Sequence, residues 1–188
     1  MRKFLLLFFS GLLLAVVMIA LSACGNNYIW FAGDGSTSMY PTFWAAPGER
    51  VYFRRTQEIS RGNVVVYRHF EANHMKRVIA LGGDIVEFKL CLESELGFNI
   101  FWIYLNGQFL DESEYLAPFG EHEHGSSWTS IGFLLYEGFI VSESRDRFLL
   151  TVPQGHFFTM GDNRDNSFDG RNYGPVSIEN LIGVHVER

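Results

Sequence analysis

Cysteine is nearly absent. The 188 residues hold only Cys24 and Cys91, and Cys24 closes an apolar leader, so Cys91 is expected to have no partner and a disulfide framework is excluded. Positive charge is scarce as well. Fifteen Lys and Arg face 21 Asp and Glu, a net charge of −6, which excludes a surface built to neutralise nucleic-acid phosphates. There is no long amphipathic helical period, no repeat and no low-complexity tract, so helical bundles and solenoids are excluded. The familiar hydrolase signatures are missing too. No Gly-x-Ser-x-Gly elbow and no Ser-x-x-Lys occur, and none of the six histidines sits in a triad-like context. What is abundant is apolar and aromatic material: 18 Phe, 8 Tyr and 4 Trp, ample for the core of one moderate domain.

Part of that apolar content is a leader. After Met1-Arg2-Lys3, the run Phe4 to Ala23 carries no charge. At about 1.5 Å per residue it is just long enough to cross a bilayer core of about 30 Å. The basic head puts the N-terminus in the cytoplasm and the rest of the chain outside. The run is longer than the apolar core of a cleaved secretory signal, so an uncleaved transmembrane helix over residues 1–24 is preferred. Leu21-Ser22-Ala23-Cys24 also resembles a bacterial lipobox, which leaves a lipidated Cys24 as the rival. Tyr28, Trp30 and Phe31 in the following segment suit a membrane interface or, equally, a first strand.

Beyond the leader the chain reads as short strands: Val51 to Phe53, Val64 to Tyr67, Met75 to Leu81, Ile85 to Phe88, Phe148 to Val152, His156 to Met160 and Leu181 to Val186, with a further candidate over Ile131 to Val141. Gly, Asn, Asp or charge bounds them. Phe101 to Leu105, Asn106-Gly107 and Gln108 to Leu110 form a hairpin with a type I′ turn. Residues 111–130 are polar and read as a loop. Within it, Glu121-His122-Glu123-His124 is the one hint of metal, and the spacing lacks further ligands, so no metal is expected.

Three stretches carry reactive groups. Gly35 to Phe43 places Ser38 beside Pro41 in a turn. His74 to Ile79 places Lys76 on an apolar strand, on the same face as His74 and Val78. A serine hydroxyl needs a base, and a lysine can serve only when burial keeps it neutral. Gly161 to Arg171 is a polar loop that, on its residues, reads as a solvated turn cluster. A calcium loop is excluded because Asp162, Arg164 and Asn166 fail the alternate-carboxylate pattern.

Taken together and in order, these stretches resemble bacterial type I signal peptidases, a serine–lysine dyad family. Ser38-Met39-Tyr40-Pro41-Thr42 looks like the family's nucleophile motif. Arg61 to Tyr67 is similar to its next strand, Lys76 to Asp84 matches its lysine motif, and Gly161 to Arg171 matches its last motif. Phe43, Asn63, Ala80, Gly82 and Gly170 depart from the usual residues, and none of them removes a reactive group.

The resemblance implies Ser38 as nucleophile and Lys76 as general base. The Ser38 N–H and the Ser36 hydroxyl would form the oxyanion hole. Ser167 would hydrogen-bond and orient the Lys76 amine, Asp169 and Arg171 would brace the loop, and Met39 and Met75 would line the substrate pocket. It also implies a mainly antiparallel β fold after one N-terminal transmembrane helix. The catalytic β domain would comprise residues 25–88 and 152–188, with a smaller inserted β region at 89–151. The expected activity is removal of signal peptides from preproteins by a single-pass protein. Its domain would face the outer side of the bacterial cytoplasmic membrane, monomeric, without cofactor or metal, touching lipid but no nucleic acid. Two alternatives stand beside it: a maturation peptidase dedicated to a conjugation or secretion system, and a non-catalytic anchored domain that binds peptides.

Overall fold

The computed structural model describes residues 27–93, 99–116, 126–128, 140–144 and 146–187. The apolar leader, Cys24 and Glu121 to His124 lie outside the described residues. Among the described residues no helix is long and apolar enough to cross a membrane.

In chain order the strands are β1 (Tyr28–Ala32), β2 (Arg50–Arg54), β3 (Val64–His69), β4 (Ala72–Leu81), β5 (Ile85–Glu93), β6 (Asn99–Leu105) and β7 (Gln108–Phe109). They are followed by β8 (Ser126–Trp128), β9 (Ile140–Ser144), β10 (Arg147–Thr151) and β11 (His156–Met160). A single helical turn, α1 (Gly170–Tyr173), precedes β12 (Val176–Ser177) and β13 (Leu181–His185). One sheet has the order β1-β2-β13-β3-β4-β11-β12; the second runs β7-β6-β5-β10-β9, with β8 alongside β6. Every pairing is antiparallel.

β-branched and aromatic residues account for these strands. In β3, Val65, Val66 and Tyr67 are all buried, because this strand lies inside the first sheet with apolar material on both faces. The expected hairpin is present: Asn106 and Gly107 have φ of 52° and 80°, the two positive angles of a type I′ turn. Tyr28 to Phe31 belong to strand β1 and not to an irregular linker. Ser126–Trp128 is a strand paired with Asn99 to Phe101 of β6, so the polar stretch 111–130 is not loop throughout.

The second sheet begins at Ile85, because β5 continues unbroken to Glu93. A boundary between residues 88 and 89 therefore falls within a strand. Both crossings between the sheets are clasped together: the Gly83 N–H donates to the Val152 carbonyl at 2.8 Å and the Val152 N–H to the Asp84 carbonyl at 2.9 Å. Asp84 accepts from Arg61 Nε and Asn106 Nδ2, each at 2.9 Å, so the turn at Gly82-Gly83 is fixed despite its two glycines. One buried cluster joins the sheets, with Ile79, Phe158 and Met160 from the first meeting Phe88, Ile103 and Leu150 from the second. The second sheet is thus packed onto the end of the first where β4 and β11 lie, the strands that carry or lead into the reactive groups.

Candidate active site

Ser38 lies in a tight turn after β1. The Tyr40 N–H donates to the Thr37 carbonyl at 3.0 Å and the Phe43 N–H to the Met39 carbonyl at 2.9 Å. Met39 is buried and pins the turn, leaving the neighbouring Ser38 hydroxyl at the surface of a cleft. Lys76 comes from β4, opposite Val65 of β3. It is only 5% exposed, and its Nζ donates to Ser38 Oγ at 2.8 Å and to the Met75 carbonyl at 2.9 Å. Burial pulls the Lys76 pKa below the ordinary lysine value. Asp169, Asp34 and Asp162 oppose that shift, Arg171 reinforces it, and burial prevails. The pair thus consists of a hydroxyl and an amine held in proton-transfer contact, with the amine biased toward its neutral form.

Ser36 is adjacent. Its hydroxyl donates to Ser38 Oγ at 3.3 Å and accepts from the Ser38 N–H at 3.4 Å. Both bonds are longer than the usual range, so both donors sit beside the Ser38 hydroxyl in weak contacts that a stronger acceptor would displace. Asp34 fixes this segment by accepting the Ser36 N–H at 2.8 Å.

Ser167 does not bond Lys76. Its Oγ is buried without a partner in hydrogen-bond geometry, although it lies near enough to the Asp169 carboxylate to help lower that group's pKa. The hydroxyl is wedged against Gly161, where an added Cβ would also stand 2.5 Å from the Ser38 carbonyl oxygen. Gly161 is one point at which the last motif meets the turn at Ser38. Asp169 and Arg171 do pair, through two contacts of 3.0 Å, and both are buried. Burial alone would raise the Asp169 pKa; the Arg171 guanidinium and the Gly161 N–H, which donates at 2.8 Å, outweigh it and hold the carboxyl below its usual range. Asp169 also caps α1, exchanging bonds with Asn172. At Gly170 a side chain would run into the Thr159 carbonyl at 2.6 Å and the Phe158 ring at 2.8 Å, which explains why the chain departs from the usual Ser there.

The last motif is not the solvated cluster that its residues alone suggest. Asp162, Arg164, Asp169 and Arg171 are buried. Asp162 takes a two-pronged contact from Arg77, with Nε at 2.8 Å and Nη2 at 2.6 Å, and also accepts the Thr42 hydroxyl. Asn163 donates its N–H to the Ser38 carbonyl at 3.1 Å and its side-chain amide to the Thr37 carbonyl at 3.1 Å, while Asn166 Nδ2 reaches Thr37 Oγ1 at 2.8 Å. Residue-level reading missed these supports. A Thr just after the turn and an Arg just after the lysine were visible, but nothing local pairs either with a carboxylate so far along the chain.

The cleft at Ser38 holds about 450 Å³. Phe31, Phe43, Val51, Phe53 and Val66 give it an apolar floor, Met39 and Met75 lie next to Ser38 and Lys76 in sequence and line it too, and Asp34, His74 and Lys76 supply its polar edge. Burial lowers the His74 pKa, and the neighbouring Lys76 and His69 charges push the same way against the His69 carbonyl. Among the described residues no group of three potential metal ligands converges.

The chain belongs to the signal peptidase family, peptidase S26, whose model matches residues 1–188. It is 32% identical over 163 residues to signal peptidase I S of Bacillus subtilis (strain 168), covering 84% of this chain and 74% of that one. To signal peptidase I V of the same organism it is 30% identical over 175 residues, covering 89% of each. A solved signal peptidase I from Enterococcus faecalis V583 aligns with a TM-score of 0.43 at 24% identity, over 68% of this chain and 96% of that one.

Proposed function

We propose that this serine peptidase removes signal peptides from exported preproteins with Ser38 as nucleophile and Lys76 as general base. The observation that carries the reading is the 2.8 Å contact between Ser38 Oγ and a buried Lys76 amine whose pKa is lowered. Neutral Nζ takes the hydroxyl proton as Oγ attacks the scissile carbonyl carbon. Charge then develops on the carbonyl oxygen, where the Ser38 N–H and the Ser36 hydroxyl leave their weak mutual contacts to hold it. The ammonium formed on Lys76 returns its proton to the departing amine nitrogen as the C–N bond breaks, leaving an ester on Ser38. The Lys76 amine then takes a proton from a water whose oxygen attacks the ester carbonyl carbon, and gives that proton to Ser38 Oγ as the C–O bond breaks, releasing the acyl fragment as a carboxylic acid.

The bound stretch would be extended. From Asn73 to Lys76, β4 pairs only with β3 among the described residues, since β11 joins it from Arg77 onward. That leaves main-chain groups along the cleft for a peptide strand, with Met39 and Met75 beside the side chains near the cut. Ser167 supports the dyad through the Gly161 contact, and Asp169 with Arg171 supports the loop. Residues 1–24 anchor the protein in the cytoplasmic membrane with the β structure outside, as the uncharged run after Arg2-Lys3 favours.

The test is incubation of the full chain in detergent with a preprotein, followed by mass analysis. One cut after a small residue, absent with Ser38→Ala, is the expected result. No cut by the wild-type protein, or an equal cut by Ser38→Ala, overturns the proposal.

A further inference from the structure

We propose that the segment Asp111–Leu116, which leaves the second sheet after β7, is a strap that sets the position of the nucleophile turn, with Glu112 and Tyr115 as its positioning residues. The inference rests on the peptidase reading for its effect on turnover, but its physical content is independent of it.

The segment is anchored at its start, where the Leu110 N–H donates to the Ile103 carbonyl at 2.8 Å. It then forms one turn. The Tyr115 and Leu116 N–H groups donate to the Glu112 carbonyl at 3.1 and 2.9 Å, and Asp111 Oδ1 accepts the Ser113 N–H at 3.0 Å. A turn brings residues three apart to one side, and the Tyr115 hydroxyl donates to Glu112 Oε1 at 2.7 Å. Although most of this segment's residues are polar, Glu112 is 3% exposed.

Glu112 and Tyr115 each make a contact beyond this turn, and both reach the last motif's supports. Glu112 takes the Arg164 guanidinium end-on, through Nη1 at 2.8 Å and through Nη2. Arg164 spends its remaining Nε on the Gly161 carbonyl at 3.0 Å. Gly161 is the residue that abuts Ser38 and Ser167. The Tyr115 ring lies under the Arg77 guanidinium, 4.2 Å from its carbon to the ring centroid. Arg77 in turn grips Asp162, and Asp162 holds Thr42 in the nucleophile turn. Burial and the Glu112 charge raise the Tyr115 pKa, so the phenol stays protonated and keeps donating. Neither residue touches the cleft. Each acts on the turn at Ser38 through a guanidinium of fixed planar geometry, Glu112 through Arg164 and then Gly161, Tyr115 through Arg77 and then Asp162 and Thr42.

The experiment compares the full chain in detergent with Glu112→Gln, Tyr115→Leu and Tyr115→Phe. Hydrogen exchange of the Asn163 amide, which donates to the Ser38 carbonyl, is read beside kcat and KM for a preprotein. In Glu112→Gln and Tyr115→Leu, Asn163 exchange should rise while the Asn106 amide, which donates to the Ile85 carbonyl at 2.8 Å, keeps its protection. Per folded molecule, kcat should fall about tenfold or more with KM little changed, since misplacing a reacting group costs rate rather than binding. Tyr115→Phe keeps the ring on Arg77 and should recover most of the kcat lost in Tyr115→Leu. Unchanged Asn163 exchange in both Glu112→Gln and Tyr115→Leu overturns the strap, whatever the activity. So does raised exchange with unchanged kcat in an active protein. A wild-type chain that never cleaves counts against the peptidase reading alone, and the exchange result then decides the strap.

Discussion

Lys76 is where residue-scale chemistry and stability meet. Its folded pKa is lowered mainly by burial, while the unfolded chain returns it to the ordinary value near 10.5. Below the lowered pKa both states are protonated, and the folded state carries the cost of a buried ammonium. Between the two values the unfolded state binds the extra proton, so stability rises as pH increases through that window. Replacing Lys76 with Met removes this dependence. Urea unfolding from pH 6 to pH 10.5 should show the wild type gaining on Lys76→Met as pH rises toward the ordinary lysine value; parallel curves over the whole range would show that the amine is not buried as described. Ser38 and Lys76 were readable because their motifs bring their neighbours with them. Ser167 was assigned to the amine and instead lies against Gly161, since a hydroxyl's direction follows from packing that no local motif specifies.

At the scale of elements, the support of the site is a meeting of the last motif with the nucleophile turn. Gly161 lies at that contact, its missing Cβ leaving room for the Ser38 carbonyl and the Ser167 hydroxyl. Gly161→Ala should push the two segments apart, costing about 1–3 kcal/mol of stability by overpacking and lowering kcat beyond what the unfolded fraction explains. Chemical denaturation with kinetics on the same samples checks it; wild-type kcat and stability would contradict the contact. Strand positions were legible from β-branched runs, and the 106–107 turn from Asn-Gly. The burial of Asp162 and Arg164 was not, because their partners, Arg77 and Glu112, lie on other elements. Composition alone makes such a loop look wet; two long-range ion pairs make it dry.

For the whole molecule, the first sheet carries the dyad and the second packs on its end through a shared apolar cluster. The strand start at Ile85 was marked by Gly82-Gly83-Asp84, whereas its run on to Glu93, past Phe88, carries no sequence punctuation. The uncharged run from Phe4 to Ala23 should hold the chain in membranes through alkaline extraction, with an intact mass that starts at Met1. A diacylated N-terminus at Cys24 would replace the helix with a lipid anchor. The central claim is that a neutral Lys76 activates Ser38. It is tested most directly by the initial rate of preprotein cleavage against pH for the wild type and Lys76→Arg. Wild-type rate should rise with pH through the lowered lysine pKa, and Lys76→Arg should be inactive throughout, because a guanidinium does not release its proton in this range. Full activity in Lys76→Arg, or a wild-type rate that falls between pH 6 and pH 8, would contradict the account.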